Sequence, residues 1–291
     1  MKIKRIIPVL VLALLPLAGC AAPASESLPP PTAKAECKYE LPSTAFIETG
    51  KLTYSTNATL PPMQYIKDGK LSGMRIELAA KIAEKLCVEV KPVNIPFESQ
   101  IPGLQGKRWD MMVTGMFYKP ERAEVMNLIP YEVQGVAVSV PSNNPLKITK
   151  VDDLSGKHVA VQAPAYESDT LDAINKDFVA RGLAPMKIAG FQTYADAYGA
   201  LGAGQVQALA VLEAVTTYYE DAGRFDSVIH GLNIAPLTLG IAKENTALAD
   251  AVVDILNDLK KSGWLDKLMA EYKITPYDGP IEIINSSLKF P

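Results

Sequence analysis

Few side chains in this sequence are suited to covalent or metal chemistry. Its 291 residues include two histidines, His158 and His230, and three cysteines, Cys20, Cys37 and Cys87. The histidines stand alone and no Cys-x-x-Cys pair occurs, so the ligand spacing of a zinc site is missing. No Ser-His-Asp or Cys-His arrangement is visible for nucleophilic attack. Glu132 and Glu213 are the acids available for proton transfer, and neither has a histidine close by in sequence. No catalytic residue, metal or cofactor is therefore expected. Lys and Arg number 29 against 32 Asp and Glu, a formal charge of -3 with no basic run, which argues against nucleic acid. The chemistry left is non-covalent recognition of a small molecule.

The N-terminus reads as an address. Lys2, Lys4 and Arg5 precede an apolar run from Ile6 to Leu17, followed by Leu17-Ala18-Gly19-Cys20. A basic start, a short apolar core and small residues describe a secretory signal over 1–19. The apolar run is shorter than the roughly 20 residues that span a bilayer. Cysteine directly after Leu-Ala-Gly resembles the bacterial lipoprotein cleavage box, which implies a lipid on Cys20; the other reading is an ordinary signal with an incidental cysteine. Residues 20–45 begin Ala- and Pro-rich, with almost no large apolar side chains up to Ala35, and are expected to form a tether. With Cys20 lipidated, Cys37 and Cys87 remain as an even pair in an oxidising compartment. They form a disulfide or stay as two separate thiols; sequence alone leaves both open.

The body alternates between strand and helix patterns. Lys51–Thr56 alternates as a strand, Asp68-Gly69 marks a hairpin tip, and Ile76, Ala79, Ala80, Ala83 and Leu86 give an amphipathic helix over 75–86. Further strands are expected at 88–91, 111–114, 158–162, 186–188, 208–212, 227–232 and 237–242. Helices are expected at 102–105, 167–180, 195–201 and 214–219, then in a long segment carrying Leu248, Val252, Ile255, Leu256 and Leu259, and again at 265–272. Such alternation indicates α/β layers. The length suits two domains.

Five segments in order carry a family resemblance. Gly69-Lys-Leu-Ser-Gly73-Met-Arg-Ile-Glu-Leu78 resembles the stretch dGklvGfdvdL, and Ile101 to Asp110 resembles ipaLqsgkvD. Gly115 to Arg122 resembles GmtitpeR, and Asp153 to Val161 resembles dLkGkkVgV. Leu239-Gly-Ile-Ala, with the later Leu-Lys-Lys-Ser-Gly-Trp-Leu265, resembles the family's C-terminal pattern. On these the chain resembles family 3 solute-binding proteins of bacterial ABC importers, the polar amino-acid group. The resemblance implies a two-lobed type II periplasmic-binding-protein fold, with mixed sheets flanked by helices and a two-strand hinge. Lobe 1 would comprise 46–133 and 239–275, lobe 2 138–234, and a tail 276–291. A small carboxylate-bearing ligand would sit between the lobes of a monomer that touches the membrane only through its lipid and delivers to an ABC permease. The place would be the periplasm or the cell surface.

The resemblance also places the ligand contacts, at Asn57, Leu60, Phe97, Thr114, Gly115, Phe117, Arg122, Gln162, Ala165, Tyr166, Leu212 and Glu213. In this family an arginine seven residues after the glycine grips the ligand carboxylate, a task for which a planar two-pronged donor is suited. Arg122 keeps that spacing; its other reading is a surface ion pair with Glu121 or Glu124. Elsewhere the pattern is altered. Phe117 replaces a carboxylate-binding threonine, Pro164-Ala165-Tyr166 replaces a Gly-Thr-Thr segment, and Asn57 replaces a common aspartate. Leu212 stands where an acid receives the ligand ammonium. Glu213 either bulges into the cleft to substitute or is an N-terminal helix acid outside it. Phe97 either covers the ligand or packs the core. An intact carboxylate clamp beside a weakened ammonium site points to an amino-acid conjugate, an opine-like compound or an amine-free acid, with an ordinary amino acid as the alternative. Two further classes remain: a cyclohexadienyl-dehydratase-like enzyme, and a ligand sensor for a signalling partner.

Overall fold

The computed structural model describes residues 37–287. The signal segment expected over 1–19, the lipidation expected at Cys20 and the tether expected over 20–36 lie outside the described residues. Residues 37–45 were expected as tether but pack on the body. The Tyr39 hydroxyl donates to Asp258 at 2.5 Å, and Asn245 donates to the Ala45 carbonyl at 2.9 Å. A disulfide joins Cys37 to Cys87, with Cα atoms 6.0 Å apart.

The first part of the chain forms β1 (Lys51–Thr56), a small antiparallel patch of β2 (Thr59–Leu60), β3 (Gln64–Lys67) and β4 (Lys70–Ser72), and helix α1 (Met74–Leu86). Leu78, Ala79, Ile82, Ala83 and Leu86 make the buried stripe of α1. Gly73 precedes the helix at φ 119°, and a Cβ there would lie 2.4 Å from the Met63 carbonyl oxygen, so only glycine fits. Then come β5 (Glu89–Asn94), α2 (Gln100–Gln105), β6 (Met111–Met112), α3 (Pro120–Val125) and the long strand β7 (Met126–Pro141).

The second part contains β8 (His158–Gln162), α4 (Tyr166–Ala180), β9 (Lys187–Phe191), α5 (Tyr194–Gly202), β10 (Ala208–Leu212) and α6 (Glu213–Asp221). A second long strand, β11 (Phe225–Ala242), returns to the first part, followed by α7 (Thr246–Lys261), α8 (Trp264–Glu271) and the short β12 (Thr275–Pro276). The sequence suggested two strands, at 227–232 and 237–242. They are one strand whose register against β7 slips at four places, between Ser227 and Thr238.

Nine strands form one mixed sheet, in the order β5-β1-β6-β11-β7-β10-β8-β9, with β12 added on β7. β1, β5 and β6 are parallel to one another at one end, and β8, β9 and β10 are parallel at the other. Antiparallel β7 and β11 join the two halves. Between the halves, Gly135 faces Gly231 so closely that a Cβ on Gly135 would lie 2.9 Å from the Gly231 Cα. β7 escaped sequence reading because it is buried along nearly all its length and so shows no alternation. In the tail, Ile281 and Ile284 are buried, and Ile284 bridges to Leu128.

Candidate functional site

Arg122 sits in α3, which opens on Pro120 in its first turn, a residue whose fixed φ suits a helix start. The guanidinium is buried. Its Nη1 donates to the Phe117 carbonyl at 2.7 Å, and it lies over the Phe97 ring at 5.2 Å from the centroid. Among the described residues no carboxylate forms an ion pair with it. Burial pushes the Arg122 pKa down. The Glu167 carboxylate is the largest influence opposing that shift, ahead of Glu121. Phe97 both packs a small apolar cluster and faces the arginine.

Arg122 lines a narrow hollow, with no water-sized space left in it, together with Phe97, Gly115, Phe117, Gln162, Ala165, Tyr166 and Glu167. The structure thus brings together seven of the twelve residues expected to contact ligand. Phe117, before α3, and Tyr166, at the start of α4, stack across the hollow with centroids 4.3 Å apart and planes 22° from parallel. Beside this stack Lys119 pairs with Asp169, a second link between the halves. Gln162 donates to the Gln192 carbonyl at 2.8 Å.

The other expected residues are distributed around this hollow or away from it. A Cβ on Gly115 would lie 3.1 Å from Leu212 and 3.2 Å from Leu60, so two leucines cover that flank. The Thr114 hydroxyl accepts from Gln64 at 3.0 Å. Asn57 is buried; its Oδ1 accepts from Thr59 and its Nδ2 has no protein partner. The structure does not bring Glu213 to Arg122. As the first residue of α6 it faces His230, with Oε1 3.3 Å from Nδ1, and lines a different hollow with Val133, Gln134 and Lys273. Geometrically, this is the N-terminal helix acid.

Two charged residues at the cleft escaped sequence reading. The first is Arg75, fully buried at the start of α1. Its Nε donates to the Tyr131 hydroxyl at 2.6 Å, its Nη1 to Gln64 at 2.6 Å, and its Nε and Nη2 to Glu132. A Cβ on Gly115 would lie 3.5 Å from Nη1, so this cation underlies the same glycine. Burial disfavours the Arg75 cation, but Glu132 and Tyr131 outweigh that and hold it above its ordinary pKa. The signal was present in the sequence: arginine stands where the motif quoted above carries an acid. The second is Glu167, 1% exposed in the first turn of α4, whose carboxylate accepts from the Tyr194 hydroxyl of α5. Burial raises the Glu167 pKa, while Tyr194 and Arg122 work against the shift. Its place in a helical first turn gave it an ordinary explanation.

A larger surface hollow of about 300 Å³ lies elsewhere, lined by Phe46, Leu104, Trp109, Asp110 and Asn245 among others. Its buried carboxylate, Asp110, is already engaged by the amides of Ile47 and Thr53, each at 2.7 Å. No group of three or more metal-ligating side chains occurs among the described residues, and none of their helices is long and apolar enough to cross a membrane.

Residues 52–275 match the family described as bacterial extracellular solute-binding proteins, family 3. The chain belongs to that family. The L-cystine-binding protein TcyJ of Escherichia coli K12 is 24% identical over 229 residues, 77% of this chain and 83% of that protein. The arginine-binding protein ArgT of Corynebacterium glutamicum is 25% identical over 234 residues, 79% of this chain and 76% of that protein. Among solved structures, an ancestral arginine-binding protein bound to arginine superposes with a TM-score of 0.68 at 29% identity, over 77% of this chain and 98% of that one. The ancestral amino acid-binding protein AncCDT-1, a precursor of cyclohexadienyl dehydratase, gives 0.69 at 28% identity, over 77% and 95%. The fold of this solute-binding protein is accordingly the two-lobed type II architecture, with β7 and β11 as the two strands between the lobes.

Proposed function

We propose that this member of the family captures a small carboxylate-bearing solute, an amino acid or a derivative of one, between its lobes and hands it to an ABC permease outside the cytoplasm. The lobes would be 46–133 with 239–275, and 138–234. A lipid on Cys20 would be the only membrane contact of a monomeric protein. One observation carries the reading. Arg122 is buried beside a hollow with no ion-pair partner among the described residues. An uncompensated buried charge costs several kcal/mol. A ligand carboxylate would supply the missing charge and draw the lobes together, giving the transporter a closed form to recognise. No water-sized space is left in the hollow, against the 300–1,000 Å³ of a site for drug-sized ligands, so a solute of any size enters only if the cleft opens.

Binding rather than turnover is favoured by where the two candidate acids lie. Glu132 is tied to Arg75, with Gln134 at 3.4 Å, and Glu213 faces His230 away from Arg122. The relatives named above are themselves binding proteins.

The test is thermal shift on purified full-length protein, stripped of bound solute by unfolding and refolding. The panel holds L-amino acids, their conjugates and amine-free organic acids. A ligand at 100 times its Kd stabilises by about 2.7 kcal/mol. The expected result is a shift with at least one carboxylate that disappears in Arg122→Ala. A ligand that shifts Arg122→Ala as much as the parent protein overturns the assignment.

A further inference from the structure

We infer that Glu167 receives a cationic nitrogen of the ligand, so that Arg122 and Glu167 together read a zwitterion and the negative pole of the site is moved within lobe 2 from position 212 to position 167. This rests on the proposed capture of a carboxylate by Arg122 and adds which solutes the cleft prefers.

Three observations carry it. First, Leu212 presses its methyl carbon against Gly115 together with Leu60, so the flank where an acid would have stood is apolar. Second, the neighbouring acid, Glu213, lines a different hollow with its carboxylate at His230. Third, among the described residues Glu167 is the one carboxylate lining the small hollow that Arg122 lines, and it is as buried as the arginine. The two charges face one hollow without forming an ion pair. A molecule carrying a carboxylate and an ammonium on one carbon complements such a separated pair: its anion goes to the guanidinium and its cation to the carboxylate. The Tyr194 hydroxyl, donating to Oε1 of Glu167, fixes the carboxylate in place from α5. The aromatic pair of Phe117 and Tyr166 excludes water beside both charges, which strengthens each contact.

This arrangement discriminates between solutes that differ only at nitrogen. A free amine keeps both contacts. An N-acetylated counterpart brings a neutral amide to a buried carboxylate and leaves it uncompensated, and a deaminated acid does the same.

The experiment is titration calorimetry on the full-length protein with the amino acids that give a thermal shift, each paired with its N-acetyl and its deaminated counterpart. Parent, Glu167→Gln and Glu167→Asp proteins are compared. The free amino acid is expected to bind the parent about 10- to 100-fold more tightly than either counterpart, the effect of a charged hydrogen bond. Glu167→Gln should lose that factor for the free amine alone and leave the counterparts within about threefold of the parent, well under the 1.4 kcal/mol of a tenfold change. Glu167→Asp keeps the charge on a shorter arm and should fall between. A purely structural role for Glu167 would weaken all three ligands together, and that result overturns the inference. So does a parent protein that prefers the acetylated or deaminated form. If no carboxylate binds the parent at all, the capture proposal itself falls and takes this inference with it; undiminished binding by Arg122→Ala isolates failure of the Arg122 anchor.

Discussion

Lobe 1 buries two arginines at the cleft, and their surroundings differ. Arg75 is fully enclosed and saturated, donating to Glu132, Tyr131 and Gln64, while Gln64 in turn donates to Thr114. Arg122 is nearly as buried, has one backbone acceptor and a ring beneath it, and makes no ion pair among the described residues. The same residue type at similar depth therefore serves two purposes. Arg75 closes a charge network inside the protein, tying α1 to strand β7 between the lobes. Arg122 leaves its complement to come from outside.

The comparison breaks most sharply at Arg75. Arg75→Met removes one member of a buried pair and strands the Glu132 carboxylate, which lies at 0% exposure. Breaking such a pair typically costs 3–5 kcal/mol. Urea denaturation monitored by circular dichroism should show a loss of that size; a loss under about 1 kcal/mol would mean that the network is not closed as described. The paired change Arg75→Met with Glu132→Met should recover much of it, since replacing a whole buried ion pair by apolar side chains is often neutral. A double variant no more stable than Arg75→Met would assign the loss to lost shape rather than to a stranded charge.

Arg122 should behave in the opposite way. Arg122→Met removes a buried charge without stranding a carboxylate ion-paired to it, so in the same denaturation assay stability without ligand should stay within about 1 kcal/mol of the parent or rise. The response to ligand should vanish. Stability falling as far as in Arg75→Met would erase the distinction between the two arginines.

How much of this was legible in the sequence follows from the same contrast. Arg122 stands out in the sequence because its spacing from Gly115 sits inside a contiguous motif. The strands and helices of the body were found where burial is one-sided, as in α1, or bounded by clear breaks, as in β10. Strand β7 was missed because burial on both faces removes periodicity. The cysteine pair was named, but only the three-dimensional placement of Cys37 against Cys87 decided between bond and free thiols. Arg75 and Glu167 were missed for a different reason. Each lies in the first turn or two of an amphipathic helix, where a charged residue has a routine solvent-facing explanation. Their burial depends on partners 57 and 27 residues away in sequence, Glu132 and Tyr194. A local pattern carries no such information.

The smallest predicted effect sharpens the comparison by pH. Burial raises the Glu167 pKa in the folded protein above its unfolded value. The folded state therefore holds the Glu167 proton more tightly than the unfolded chain. The stability this contributes is fully present below the ordinary carboxylate range and is lost as pH rises through the folded value. Glutamine at 167 cannot ionise, so it escapes that loss. Without ligand, Glu167→Gln should gain stability relative to the parent as pH rises above the ordinary carboxylate range, with the difference shrinking towards acid pH. Urea midpoints across pH 4 to 8 would measure it. A difference that is flat with pH would mean that ionised Glu167 is already compensated, by Arg122 at longer range or by Tyr194. The site would then be a closed network like that of Arg75, with no charge left for a ligand to meet.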